Sequence, residues 1–235
     1  MKIDWIVWLG CVLLFGAGVI LGLAPAGDSF YKVENIHDFF EIIAAIATVT
    51  AVVVAVLSVN AWKSQMRDTA DHDLARKILV SAYEYREAIK AIRSPVIMSY
   101  EASPEAGEKA VEDPKLESFR GECRAYQRRF SRAEPIRVRL LTYSLEAEVV
   151  WGEELKDYLI HLMRLETEIS IFLRSHLIAQ DPSSPDDSKK AHSEILLSKR
   201  DALMDDFSEE GDAFTQDMKK RLSKIEQFLK EKLIR

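Results

Sequence analysis

The sequence has little of what secreted miniproteins and fibrous proteins depend on, since its 235 residues include two cysteines, nine glycines and seven prolines. So few cysteines exclude a disulfide-dense scaffold, and so little glycine and proline excludes a collagen-like repeat. Hydrophobic residues make up 48% of the chain and the formal net charge is -6, which excludes a disordered polyelectrolyte.

Familiar catalytic motifs are also missing from the sequence. It contains no HExxH, no Walker loop, no GxGxxG and no GxSxG. We therefore predict no catalytic residue, no metal site and no cofactor, and we expect a protein that is not an enzyme. An enzyme could still assemble its site from dispersed polar residues, which a single sequence does not reveal.

Charge is missing from two long segments, residues 5–24 and 42–61, each of which has 16 apolar residues out of 20. Twenty helical residues span about 30 Å, the thickness of the bilayer's hydrocarbon core. The large aliphatic and phenylalanine side chains contribute roughly -3 to -6 kcal/mol of insertion free energy per segment. The sequence predicts a transmembrane hairpin over residues 1–62, with a short outer loop at 25–41.

Basic residues indicate the orientation of this hairpin, because cytoplasmic flanks are rich in Lys and Arg. Lys2 precedes the first segment, whereas the loop 25–41 has one lysine against four acidic residues. The second segment is followed by Lys63, Arg67, Arg76 and Lys77. We expect both termini to be cytoplasmic. A competing interpretation is a signal peptide cleaved after Ala24-Pro25-Ala26.

Small residues recur four positions apart within both apolar segments. Gly18 and Gly22 lie in the first, and Ala47, Ala51 and Ala55 lie in the second. Such stripes let helix backbones approach closely. They indicate either packing of the hairpin against itself or association between copies of the protein, which would make it a homo-oligomer in the bilayer.

Residues 63–235 show helical periodicity throughout and nothing that indicates a strand, so the predicted fold class is all-α, with a cytoplasmic helical bundle. No Gly or Pro occurs between Glu41 and Ser94. We therefore expect the first cytoplasmic helix to be continuous with the second membrane helix and to end before Pro95. A loop is predicted at about 94–114.

Proline and glycine divide the rest of the chain. Pro135 is predicted to open a new helix, Gly152 to interrupt it, and residues 181–186 to form a loop. Ile195, Leu196 and Leu203 are assigned to one further helix. The last helix carries an apolar stripe that indicates bundle core or an oligomer seam; its members are Phe214, Met218, Leu222, Ile225, Leu229 and Leu233.

Arginine is concentrated between Phe119 and Tyr143, a segment that contains seven arginines, two glutamates and no lysine. Four of them, Arg120, Arg124, Arg128 and Arg132, form a stripe at helical spacing. Arginine without lysine favours bidentate recognition of carboxylate or phosphate. Three targets stay open: phosphate, an acidic protein partner, or internal carboxylates. The internal set would be Glu146, Glu148, Glu153 and Glu154, or the run Asp205, Asp206, Glu209, Glu210 and Asp212.

Histidine and cysteine offer weaker signals. Asp157 precedes His161 by one helical turn, and His72 lies between two aspartates; either arrangement could bind a metal or hold a base, but surface hydrogen bonding is the commoner role. Glu34 and His37 have the spacing found in di-iron bundles, but the motif occurs once. Cys123 lies on an apolar helix face, which predicts a core residue and not a reactive thiol.

The junction after the second apolar segment resembles a known group of proteins. The residues that carry the resemblance are Trp62-Lys63, Asp73-Leu74-Ala75-Arg76-Lys77-Ile78-Leu79, Tyr83, Arg86, Ala88-Ile89 and Arg93-Ser94-Pro95. They resemble bacterial membrane proteins that have two N-terminal transmembrane helices and a helical cytoplasmic domain. Some of these are encoded beside anti-phage defence genes, and the layout is similar to the two-helix effector of a retron system.

This resemblance implies an effector of the bacterial inner membrane. Its partners would be the lipid bilayer and a reverse transcriptase with its RNA–DNA hybrid, and infection would trigger membrane disruption and cell death (abortive infection). The alternative is a passive membrane-tethered scaffold for a cytoplasmic complex. A third possibility, a membrane-bound enzyme, would depend on dispersed polar residues such as His72 or His161.

Overall fold

The computed structural model describes residues 10, 14–16, 18, 36–108, 112–206, 208 and 210–233. Every regular element in these residues is a helix and none is a strand, which confirms the all-α fold class. Gly10, Leu14 to Gly16 and Gly18 are helical. The rest of the first apolar segment and most of the predicted outer loop lie outside the described residues.

The longest helix, α1, covers Ile36–Ile92. The stretch Phe40–Ile92 is long and apolar enough to cross a membrane, and none of its most apolar window is buried. An apolar helix in the core of a soluble protein would be covered by neighbours, so this exposure favours membrane association. The chain forms two compact units, Met1–Asp68 and Thr69–Arg235.

The second unit is a helical bundle. After α1 come α2 (Ser99–Ala102), α3 (Pro114–Trp151), α4 (Glu153–Gln180), α5 (Asp186–Ser198) and α6 (Ala213–Leu233). Tyr83 on α1 bonds Glu226 on α6, while Arg93, directly after the end of α1, bonds Thr215 near the start of α6. The reversed order shows that α1 and α6 run antiparallel, and α4 packs against α3, α5 and α6.

A single apolar core fills the bundle. From α1 it takes Leu74, Ala75, Ile78, Ala82, Tyr85, Ile89 and Ile92, which follow helical spacing. Burial of the Tyr85 ring and the hydrogen bond from its hydroxyl to Glu166 raise the pKa of that hydroxyl far above its usual value. On α6, the stripe from Phe214 to Leu229 is buried and Leu233 is partly buried, which confirms the interpretation as bundle core.

Capping residues explain where the bundle helices begin and end. The Asp113 carboxylate accepts a hydrogen bond from the Lys115 backbone N–H at 2.9 Å, and Pro114 occupies the first turn of α3. Gly152 separates α3 from α4 with φ 88°, a conformation that glycine adopts without strain. The interruption predicted at Gly152 is therefore confirmed.

Two boundary predictions were wrong. Pro135 does not open a helix, since α3 continues through it. Proline removes one backbone hydrogen bond, but Pro135 is exposed, so water can bond the carbonyl left without its donor, and the buried side chains of Ala133 and Leu140 hold the helix on either side. Leu203 is not on a helix with Ile195 and Leu196, because α5 ends at Ser198; Leu203 is nevertheless buried in the core.

Candidate functional site

The arginines of α3 bind the segment that joins α1 to α3, residues 93–113, here called the first connection. Arg124 donates from Nε to the Ala102 carbonyl at 2.8 Å and pairs with Glu108 at 2.8 Å and Glu117 at 2.5 Å. Arg128 donates to the carbonyls of Tyr100 and Glu101, both at 2.7 Å. Two arginines of the predicted stripe are thus engaged internally.

Arg129, which lies beside the predicted stripe, forms the most buried ion pair of this region. Its guanidinium donates to Glu101 at 2.8 and 3.1 Å, and both residues are buried. It also donates to the carbonyls of Ile92, Ser94 and Val96 at 3.3, 2.6 and 2.6 Å. Arg129 therefore satisfies a carbonyl at the C-terminal end of α1, which would otherwise be buried without a partner.

The Glu101 carboxylate is held in its charged form. Hydrogen bonds from Arg129 lower its pKa, burial acts in the opposite direction, and a backbone hydrogen bond from Met98 at 3.1 Å adds to the lowering. The net effect is a pKa below the ordinary value. A guanidinium beside a buried carboxylate keeps that carboxylate ionised, because the positive charge offsets the cost of burying the negative one.

A second arginine network holds residues 199–212, the second connection, which joins α5 to α6. Arg93, 1% exposed, donates to the carbonyls of Ala202 and Met204 at 2.9 and 2.7 Å and bonds Asp212 and the Thr215 hydroxyl. Its guanidinium lies 4.3 Å from the centre of the Phe214 ring.

Burial opposes ionisation of Asp212, but the hydrogen bond from Arg93 and one from the Thr215 backbone outweigh it and lower the pKa of this carboxyl. Asp212 also belongs to a group of three neighbouring carboxylates with Asp205 and Asp206. Arg93 neutralises Asp212, so one member of this group belongs to the arginine network.

The remaining predicted arginines differ from these. Arg120 is exposed to solvent. Arg132 is 59% exposed and lies 3.7 Å from Glu101. The internal carboxylates predicted from the sequence are not the partners of this stripe. Its acidic partners are Glu108 and Glu117 for Arg124, and Glu101 for Arg132.

The predicted small-residue stripe of the second apolar segment lies on α1. Ala47, Ala51 and Ala55 are all exposed. Gly18 is helical and exposed, and a Cβ built on it would meet nothing within 4 Å. Gly22 lies outside the described residues.

The histidine and cysteine signals do not converge on a site. Asp157 and His161 line one surface depression, but the His161 ring lies 3.4 Å from Arg164 and its carbonyl accepts from Arg221. His72 is exposed on α1. Cys123 is partly buried, and burial raises the pKa of its thiol, which opposes reactivity.

Several structural partners were missed from the sequence. His176 bonds Glu122 at 2.9 Å across α3 and α4, and Arg200 bonds Glu168 at 2.6 Å. These pairs are 54 and 32 residues apart, so no local spacing indicates them. Arg93, Glu101 and Arg129 were missed for the same reason. The sequence offered one signal for Arg93, which is its position at the helix end predicted before Pro95.

No protein-family model, no curated protein and no solved structure matches this chain.

Proposed function

We propose that this chain is an inner-membrane effector of a bacterial anti-phage system that acts by abortive infection, in the arrangement of a retron. Two membrane helices, at about 5–24 and 42–61, would anchor it with both termini in the cytoplasm. A cytoplasmic partner, a reverse transcriptase with its RNA–DNA hybrid, would hold the bundle silent or send it a signal. On release or triggering, the membrane helices of several copies would associate and disrupt the bilayer.

The observation that carries this proposal is the exposed apolar part of α1. Ile42 to Val59 includes no buried side chain, although ten of its residues are large aliphatics. The same helix then enters the core of the bundle at Leu74. A membrane is the environment that covers such a surface without a protein neighbour.

The exposed alanine stripe supports association between copies. In lipid, helices associate through close backbone packing, and large side chains on the contact face prevent it. Two helices cannot enclose an aqueous pore, so a pore through the bilayer requires several copies. No charged residue occurs between Ile42 and Ala61, so the segment offers no ion-binding group of its own.

The test is membrane potential in phage-infected cells that carry the whole defence system. Infection should depolarise cells with the unchanged protein, and Ala51→Leu or Gly18→Leu should abolish this depolarisation. Ala45→Leu is the matched control, since it makes the same change outside the stripe, about 120° around the helix from Ala51, where depolarisation should be retained. Expression and membrane insertion of all variants are checked by fractionation.

An anchor exchange distinguishes the effector from a scaffold. Residues 1–62 are replaced by an unrelated two-helix anchor of the same orientation. Loss of defence with normal localisation supports the effector. Retained defence, or an unchanged potential in infected cells with the natural sequence, contradicts membrane disruption and replaces it with a tethered scaffold.

A further inference from the structure

A cavity of about 670 Å³ lies between α1 and α3 within the second unit. Its apolar wall includes Ala88 and Ala91 of α1 and Ile136 of α3. The volume is within the range of pockets that hold small organic ligands, and those pockets likewise combine apolar walls with a few polar groups.

Two ion pairs border this cavity and neutralise most of its charge. Arg129 bonds Glu101, and Arg139 bonds Glu84 across the two helices. A third glutamate, Glu87, also lines the cavity, but it is 56% exposed and pairs with Arg86 at 2.6 Å. Each lining carboxylate therefore already faces a guanidinium.

Arg132 is the cation of the cavity whose charge is least compensated. Its nearest carboxylate is Glu101, at 3.7 Å, and that group already accepts two hydrogen bonds from Arg129 and one from Met98. In the described part of the chain, the Arg132 guanidinium forms no hydrogen bond with a protein acceptor. Its other neighbour is the Tyr100 ring, whose centre is 5.7 Å away.

We propose that this cavity binds an organic phosphate of about mononucleotide size. The phosphate takes paired hydrogen bonds from Arg132, since the planar guanidinium fits two phosphate oxygens. The body of the ligand covers Ala88, Ala91 and Ile136. Both a free nucleotide and a short alkyl phosphate supply this chemistry.

The site is placed to act on the first connection. Arg132 contacts Glu101 and Tyr100, which both belong to α2. A phosphate bound to Arg132 would compete with Glu101 for the guanidinium. The inference rests on the cavity and not on membrane disruption, so its failure and that of the proposed function are separate results.

The test is isothermal titration calorimetry on the full chain in nanodiscs of zwitterionic lipid. The probes are AMP, hexyl phosphate and inorganic phosphate, and empty nanodiscs correct for partitioning. At least one organic phosphate should bind about tenfold more tightly than inorganic phosphate, because only it covers the apolar wall. Whichever of AMP and hexyl phosphate binds more tightly shows whether the ligand is a nucleotide or an alkyl phosphate.

Matched variants assign the binding to Arg132. Arg132→Gln should weaken binding about tenfold or more, whereas Arg120→Gln, an exposed arginine of α3 outside the cavity, should leave it unchanged. Ala91→Trp should abolish binding by filling the cavity, and Ala191→Trp on the exposed face of α5 should not. Circular dichroism confirms folding of each variant.

Three outcomes overturn the inference. The first is no preference for organic over inorganic phosphate, and the second is equally tight binding by the Arg132→Gln and Arg120→Gln variants. The third is binding of a Glu-rich peptide at Arg132 where both organic phosphates fail. The last result would assign the site to an acidic protein partner.

Discussion

The two parts of helix α1 contain similar aliphatic residues in opposite environments. From Ile42 to Val59 every side chain is exposed, whereas from Leu74 to Ile92 one face is buried in the bundle core. The first part is apolar on all sides and the second is apolar on one side, with charged residues such as Lys77 and Glu84 between its core positions. The distribution of apolar residues around the helix, not their number, separates a lipid-facing segment from a core-facing one.

The largest effect should come from the ion pair at the bundle end of α1. Arg129→Ala leaves the buried Glu101 with only the exposed Arg132, at 3.7 Å, to compensate its charge, and it removes the donor to the Ile92, Ser94 and Val96 carbonyls. We expect the free energy of unfolding of the bundle to fall by about 3–5 kcal/mol, measured by urea denaturation of the full chain in detergent.

Arg120→Ala is the control for this variant, because it removes an exposed arginine from the same helix. Its effect on the unfolding free energy should stay within about 0.5 kcal/mol. Equal unfolding free energies for the two variants would show that the Arg129 network does not hold the end of α1.

A matched pair of isoleucines compares the two parts of α1 directly. Ile89, 1% exposed, lies in the core, and Ile46, 62% exposed, lies in the apolar segment. Ile89→Ala should lower the bundle's unfolding free energy by about 3 kcal/mol, because it removes buried methyl and methylene groups and leaves a cavity. Ile46→Ala should change it by less than about 0.5 kcal/mol. A comparable loss for Ile46→Ala would mean that this segment packs against protein.

The smallest effect concerns acid pH. In the folded protein the pKa values of Glu101 and Asp212 lie below their ordinary values of 4.5 and 3.8. The unfolded chain therefore binds these protons first, so their stabilisation is complete above the ordinary pKa and is lost as the pH falls through the folded pKa. The bundle's unfolding free energy should decrease from about pH 4.5 downwards.

Glu101→Gln should flatten this acid dependence, because the amide does not titrate. It should also lower the unfolding free energy at neutral pH, because the amide carries no charge to pair with Arg129. Denaturation curves at several pH values measure both changes. An acid slope identical to that of the unchanged protein would exclude Glu101 as a contributor.

Local patterns predicted the parts of the fold that depend on neighbouring residues. The core face of α1, the apolar stripe of α6 and the break at Gly152 all follow from helical spacing or backbone conformation within a few residues. Pro135 was misjudged because packing on both sides of a residue can outweigh one lost hydrogen bond. Leu203 was misjudged because burial in a connection looks the same in sequence as burial on a helix.

The candidate site was harder to predict because its acceptors are mostly backbone carbonyls. The sequence indicated an arginine-rich helix, but a carbonyl has no residue type, so the Ser94, Val96 and Ala102 acceptors had no signature. Glu101 was not linked to Arg129 because 28 residues separate them. Tertiary packing alone brings these groups together.

The junction of Arg93 and Ser94 joins both connections of the bundle. The Arg93 side chain binds the second connection, its carbonyl accepts from the Asp205 backbone N–H at 3.1 Å, and the Ser94 carbonyl accepts from Arg129. Opening of one connection therefore removes hydrogen bonds that order the other. In native-state hydrogen exchange, the Glu101 and Asp205 amides should behave as one cooperative unit and exchange with a common opening free energy, although they belong to different segments of the chain.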